Sequence, residues 1–231
     1  MDQTNNAMQS LHVRGVLFDM DGVLIDSTSA DERSWRRWAR FHGMEGIFSP
    51  QATHGRRTID TLRLLRPDLD PLIELDRMEA FDAEESDGMV LLAGVDRLLA
   101  ALPPNTWTVV TSASDQVMRT RLETAGLTLP PNVVTAESVT NGKPHPEPYL
   151  TAAKLLNLDP TECLVVEDSP TGIEAGKAAG CKVLAVAFSH SATQLAGADW
   201  IVSSLEQVAV RPENDGRIMI RGWGRGLAPA D

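Results

Sequence analysis

The sequence predicts an α/β fold, a doubly wound, Rossmann-like parallel sheet core with an inserted α-helical cap domain. Two observations carry this. From residue 92 onward, short apolar, β-branched runs alternate with helical periodicities, a pattern that suits strands buried on both faces of a parallel layer. Before that, about sixty residues of helical character follow the first such run, where an ordinary crossover needs roughly a dozen. A chain of 231 residues is long enough for one core and one insert.

The first strand is VRGVLF (13–18). In the insert, Ser29 and Glu32 form a capping-box pair, and Trp35, Trp38, Ala39 and His42 line one face of the helix that follows. Thr58, Ile59, Leu62 and Leu65 make a second helix. Asp70-Pro71 is a cap with a first-turn proline and opens a third helix through Leu72, Leu75, Met78 and Phe81, with Asp87-Gly88 as its stop. The core then resumes. Its strands are TWTVV (106–110), NVVTA (132–136), ECLVVE (162–167), CKVLAVA (181–187) and DWIVS (199–203). Between them run helices patterned on Val95, Leu98, Leu99 and Leu102; on Val117, Met118 and Leu122, closed by Gly126; and on Tyr149, Leu150, Ala153 and Leu156. VAV (208–210) and RIMI (217–220) flank an Asn-Asp-Gly turn and read as a hairpin or edge strand, and the Gly-rich RGWGRGLAPAD reads as a frayed end. The expected division is a discontinuous core (11–27 and 89–207), a helical cap (28–88) and a C-terminal hairpin with a flexible tail (208–231).

Composition narrows the function. With 21 basic and 32 acidic residues the net charge is −11, which offers no electrostatic footprint for nucleic acid. No apolar run approaches the ~18 residues of a membrane helix. MDQTNNAMQS lacks the basic start and apolar stretch of a signal peptide. Cys163 and Cys181 each open an apolar run and read as reduced core thiols, not as a disulfide or a metal pair. A cytoplasmic protein, monomeric and without a nucleic-acid or membrane partner, is expected.

Four segments could carry chemistry. VLFDMDGVLIDS (16–27) sends Asp19 and Asp21 off an apolar strand together, with Gly22 permitting a tight turn. Ligands of open α/β sheets bind beyond the carboxyl ends of strands, so one carboxylate could attack while the other moves a proton. TWTVVTSAS puts Thr111 and Ser112 at another strand end, where a hydroxyl and the next amide can hold a phosphoryl oxygen. NGKPHPEPYL holds Lys143 in a loop stiffened by Pro144, Pro146 and Pro148. CLVVEDSPTGIEAG ends a strand with Glu167-Asp168; paired acids at a buried strand end are costly unless a cation neutralises them. Taken singly, each segment also has an ordinary reading as a turn, a helix cap or a solvated side chain. Taken together, Asp19, Glu167 and Asp168 with a phosphate monoester would repel one another by several kcal/mol at an effective dielectric of ~20. A hard divalent cation resolves this, and all-oxygen donors favour Mg2+.

In this order, FDMDG, TSAS, GKPHPEPYL and VVEDSPTGI resemble the four motifs of the haloacid dehalogenase superfamily, in the branch with a helical cap after the first motif. The resemblance runs from residue 13 to about residue 207. HGRRTIDTL and TAESVTNGKPHPEPYL look like the sugar-phosphate and glycerol-phosphate phosphatases, including the deoxyglucose-phosphate type. The resemblance implies that Asp19 forms an aspartyl-phosphate and that Asp21 is the general acid/base. It implies that Ser112, the Ala113 amide and Lys143 bind the phosphoryl group. It also implies Mg2+ held by Asp19, the Asp21 main-chain carbonyl and Asp168, with Glu167 assisting directly or through water. The namesake carbon–halogen hydrolases lack the second aspartate, so Asp21 argues against that activity.

The expected function is a Mg-dependent phosphatase acting on a small phosphorylated metabolite, a sugar or polyol phosphate monoester. TSAS (111–114) departs from the TSGT of glycerol-phosphate enzymes toward the β-phosphoglucomutase pattern, so a phosphomutase stands as the alternative. A non-catalytic phosphoryl-ligand sensor is the third reading. Specificity is expected from His54, Arg56 and Arg57, which lie between two cap helices beside Gly55, with Arg57 or His54 reading the substrate's hydroxyls or charge. Trp35 and Trp38 are expected to pack.

Overall fold

A computed structural model describes residues 7–45, 54–85 and 87–226. In chain order the elements begin β1 (Ala7–Val13), β2 (Gly15–Phe18), β3 (Ile25–Asp26), α1 (Thr28–Phe41), α2 (Thr58–Leu65), α3 (Pro71–Glu84), β4 (Val90–Leu91) and α4 (Val95–Ala101). They continue β5 (Trp107–Val109), α5 (Asp115–Thr124), α6 (Glu147–Leu155), β6 (Cys163–Glu167), α7 (Pro170–Ala178), β7 (Lys182–Val186), β8 (Trp200–Val202), β9 (Val208–Pro212) and β10 (Ile218–Gly226).

Five strands, β5-β2-β6-β7-β8, pair in parallel and form the predicted layer. Their period-2 side chains sort onto two faces. Val16, Phe18, Leu164, Val166 and Leu184 pack with Val95 and Leu98 of α4 and Met118 and Leu122 of α5. Leu17, Cys163, Val165, Val183 and Ala185 pack with Tyr149 and Ala152 of α6 and Ile173 of α7. Each fully buried aliphatic side chain contributes roughly 1.5–3 kcal/mol, so apolar runs without polar interruption are what a layer covered on both sides requires. Cys163 and Cys181 are buried and free, and burial pushes both thiols up to about 12. No helix among the described residues is long and apolar enough to cross a membrane.

The chain leaves for the cap along β3 and returns along β4, and the two segments pair antiparallel through Ile25–Leu91 and Asp26–Val90. The helices of the expected cap, α1, α2 and α3, pack around Trp35, Trp38, Leu62 and Met78. Trp38 Nε1 donates to Glu74 Oε2 at 2.8 Å, and His42 Nε2 meets the same oxygen at 2.7 Å; buried polar groups are kept only with such partners. Asp70 caps α3 as expected, its carboxylate accepting from Leu72 N, although the Leu72 side chain itself is exposed.

Three expectations change. NVVTA does not form a strand: only an isolated bridge joins Val110 to Val134, and a capping box at Thr135–Ser138 turns the chain into a short 3-10 helix. Helix α1 starts before Ser29, with Ser27 as its N-cap. The Gly-rich end is no frayed tail through Gly226. It is the nine-residue β10, which pairs with β1, β9 and β8 and carries the sheet past its parallel part. Its glycines permit close passage, because a Cβ on Gly224 would lie 2.2 Å from Trp200 Nε1 and one on Gly222 would lie 2.1 Å from Gln207 O. Residues 227–231 of the expected tail and 46–53 of the cap lie outside the described residues.

Candidate active site

The carboxyl ends of β2, β5 and β6 lie side by side, with β2 in the middle. This is where an open α/β sheet presents ligands. Asp19 follows β2 directly, and its amide donates to Val166 O at 2.9 Å. Gly22 then turns at φ +76°, and a Cβ there would stand 1.9 Å from Asp168 Oδ2. Only a glycine allows the first loop and the loop after β6 to close on each other.

Lys143 arrives from the loop before α6 and is 3 % exposed. Its Nζ donates to Asp19 Oδ1 at 2.5 Å, Glu167 Oε1 at 2.7 Å and Val110 O at 3.2 Å. Glu167 is fully buried. It also accepts from Tyr149 Oη at 2.8 Å and, through Oε2, from the amides of Asp168 and Ser169 and the Ser169 hydroxyl. Gly172 leaves room for this carboxylate, since a Cβ there would lie 1.6 Å from Glu167 Oε1. One oxygen each of Asp19, Glu167 and Asp168 lies within 4.8 Å of the others.

The ionisation pattern follows from burial and neighbours. Burial raises the Asp19 carboxyl to about 8, with Lys143 opposing and Glu167 adding. Burial, joined by the charges of Glu167 and Asp19, pushes Asp168 well above the usual carboxylate range. Glu167 goes the other way: burial would raise it, but Lys143 and the hydrogen-bond donors hold it down. Burial works against the Lys143 ammonium too, and Asp19 and Glu167 outweigh it.

Asp21 faces the same cleft, where Oδ1 accepts from the Ser27 hydroxyl and from Arg121 Nη1 at 2.8 Å. Ser112 and Ala113 also line the cleft. The Ser112 hydroxyl donates to Gly55 O at 3.0 Å, and the Ala113 amide donates to Thr111 Oγ1 at 3.1 Å. The structure thus brings Asp19, Asp21, Ser112, Ala113, Lys143, Glu167 and Asp168 to one place.

The cap residues divide. His54 and Arg56 line the cleft. His54 lies edge-on to His190 with ring centroids 5.8 Å apart, and burial together with His190 lowers its pKa. Arg57 is turned away from the expected role. Its guanidinium grips Asp60 at 2.7 and 3.2 Å and donates to Val139 O and Thr140 O, at 3.1 and 3.0 Å, in the core loop leading to Lys143. A Cβ on Gly142 would lie 2.7 Å from Arg57 Nε. Five donors in a fork suit a ring of carbonyls, and Arg57 joins cap to core there.

Sequence reasoning missed several participants. Ser189, just past β7, donates to Asp168 Oδ2; the rule of strand carboxyl ends could have found it. Tyr149 looked like an apolar helix position. Arg121 of α5 is 6 % exposed and reaches Asp21, Asp31 and Asp82, the last at 3.6 Å; it lies on the helix face of Val117, Met118 and Leu122, a register that could have marked it as buried.

Residues 16–186 match the family model described as haloacid dehalogenase-like hydrolase. The chain is 41% identical over 219 residues to hexitol phosphatase A of Escherichia coli (strain K12), covering 91% of this chain and 100% of that one. It is 35% identical over 217 residues to glycerol-1-phosphate phosphohydrolase 2 of Saccharomyces cerevisiae, covering 87% and 86%. Its fold is similar to that of β-phosphoglucomutase from Clostridium difficile, with a TM-score of 0.73 at 23% identity and coverage of 84% and 92%. Four loops that meet at the carboxyl end of the sheet and a match over most of the chain place this protein in the haloacid dehalogenase-like hydrolase family.

Proposed function

We propose that this protein is a phosphatase that hydrolyses small sugar or polyol phosphate monoesters in two steps through a phosphorylated Asp19. The observation that carries this is the Asp19 carboxylate, held by Lys143 at 2.5 Å at the end of β2, with Asp21 two residues further on in the same cleft. The names of the relatives support the substrate class.

In the first step an Asp19 oxygen attacks phosphorus and the ester P–O bond breaks. The leaving alkoxide takes a proton from Asp21. In the second step water attacks the phosphorylated Asp19, Asp21 takes a proton from that water, and inorganic phosphate leaves with the Asp19 carboxylate restored. Ser27 and Arg121 fix Asp21 at one oxygen, and the other is left to exchange the proton. The Ser112 hydroxyl, the Ala113 amide and Lys143 surround the phosphoryl oxygens, and such positioning with charge stabilisation is most of what phosphoryl transfer needs.

The donor set fits Mg2+: the candidate ligands are all oxygen, and burial disfavours the charged forms of Asp19 and Asp168 unless a cation joins them. Asp19, the Asp21 carbonyl and Asp168 would hold the ion. When bound, it would offset the mutual repulsion of carboxylates and phosphoryl group. Glu167, already engaged by donors at both oxygens, orients Lys143.

The test is Asp19→Asn with phosphate release measured over sugar and polyol phosphates in Mg2+. Turnover should fall by at least about 10^4-fold, the scale for loss of a nucleophile, with the circular dichroism spectrum unchanged. Residual turnover within about tenfold of wild type would remove the covalent step. A phosphomutase would instead need a bisphosphate primer and release almost no phosphate, and a sensor would be stabilised by ligand without turnover.

A further inference from the structure

The three clustered acids, Asp19, Glu167 and Asp168, are not held alike. Lys143 directs its three protons to Asp19 Oδ1, Glu167 Oε1 and Val110 O, so none is left for Asp168. Glu167 takes further bonds from Tyr149 and from the amides of Asp168 and Ser169. Asp168 directly follows β6 and is 5 % exposed. Its carboxylate is held from another strand end: the Ser189 hydroxyl, three residues past β7, donates to Oδ2.

Ser189 is itself held. His190 Nδ1 lies 2.7 Å from Ser189 Oγ and 3.0 Å from Asp168 O. A carbonyl has no proton to give, so the ring donates from Nδ1, and Ser189 accepts from it while donating to the carboxylate. Both bonds then point the same way, from His190 through Ser189 to Asp168, and bonds chained in this sense strengthen one another. The His190 ring is met edge-on by His54, from the segment that leads into α2, at 5.8 Å between centroids. Burial and the charges of Glu167 and Asp19 push the Asp168 carboxyl up, and the Ser189 bond, ahead of the Lys143 charge, opposes them. The bond therefore favours the ionised carboxylate that a cation needs, and it fixes one oxygen of the two.

We propose that Ser189, backed by His190, is a positioning residue that sets Asp168 as a single-oxygen ligand and so tunes the site to Mg2+ over Ca2+. The inference rests on the Mg2+ reading above and extends it to the side chains that hold the ligand. Mg2+ demands near-ideal octahedral geometry, whereas Ca2+ accepts more ligands, looser geometry and bidentate carboxylates. An Asp168 released from Ser189 can turn and offer both oxygens, which harms Mg2+ binding and is tolerated by Ca2+.

The experiment is isothermal titration calorimetry of the metal-free protein with MgCl2 and, separately, with CaCl2. Wild type, Ser189→Ala and Ser189→Thr are compared, with circular dichroism confirming the fold. Ser189→Ala should weaken Mg2+ binding by about 10–100-fold, the scale for loss of a group that orients a metal ligand, and should weaken Ca2+ binding far less. Ser189→Thr keeps the hydroxyl and should restore Mg2+ affinity. The Mg2+ concentration that gives half-maximal phosphate release should move with the calorimetric value. His190→Phe removes the Nδ1 donor and keeps a ring against His54. It should lower Mg2+ affinity in the same direction by a smaller factor, and it carries the test should Ser189→Ala not fold. Wild-type Mg2+ affinity in Ser189→Ala, equal losses for Mg2+ and Ca2+, or no recovery in Ser189→Thr would each overturn the positioning role. A wild-type protein that binds no Mg2+ and still releases phosphate in chelator would overturn the metal reading and this inference with it.

Discussion

Asp31 offers a test of the site's electrostatics that needs neither substrate nor metal. Burial is the main reason its carboxyl rises from 3.8 to about 6, with Arg121 opposing and Asp82 and Asp21 adding. The folded state therefore holds this proton more tightly than the unfolded chain. Its stabilising contribution is complete below about pH 4 and is lost as the pH rises through about 6. A shift of about two units at 1.36 kcal/mol each gives about 3 kcal/mol of strain at pH 8. Asp31→Asn makes the neutral form permanent and keeps an oxygen for Arg121. The variant should exceed wild type by only about 1 kcal/mol at pH 4.5 and by up to about 3 kcal/mol at pH 8. For a chain of this length that is a Tm difference of roughly 6–12 °C. Thermal and urea unfolding with chelator present, followed by tryptophan fluorescence at pH 4.5, 6 and 8, provide the measurement. Parallel stability curves for the two proteins across that range would mean that Asp31 titrates as an ordinary surface acid, and the account of the cluster would fail with it.

Two further outcomes are expected. Lys143→Met takes away the ammonium bonded to Glu167 and Asp19 and leaves the buried Glu167 charge without its cation, a strongly destabilising change. Metal-free unfolding free energy should drop by about 3–5 kcal/mol and phosphate release by at least about 100-fold; loss of activity at unchanged stability would place the ammonium outside the carboxylate cluster. Arg57→Ala removes the bonds to Val139 O and Thr140 O and should cost about 1–3 kcal/mol, while lowering kcat/KM on sugar and aryl phosphates by similar factors. Loss confined to sugar phosphates would return Arg57 to the substrate.

Much of this protein is written locally. Runs such as CLVVE and KVLAV are apolar at consecutive positions because both faces of their layer are covered, and periodic Trp35, Trp38 and Met78 mark helices that bury one stripe. The chemistry was legible for the same reason. Asp19 and Asp168 directly follow strands and Ser112 lies three residues past one, and the carboxyl end of a strand in a parallel sheet is where a side chain reaches a ligand.

What the tertiary structure alone decided depends on which distant segments meet. Arg121 shares the apolar face of α5 with Met118 and Leu122, unlike the solvated Arg119, but its partners Asp31 and Asp82 are fixed only when α5 packs against the helices that carry them. Ser27, not Ser29, is the N-cap of α1, and its hydroxyl bonds Asp21 instead of the helix amides. Arg57 looked free to read a substrate, and the loop before Lys143 engages it instead. The glycines of β10 suggested looseness and in fact admit Trp200. Periodicity and propensity act within a few residues of chain, whereas pairing of charges and fitting of strands across the molecule are set by packing, which the linear order does not encode position by position.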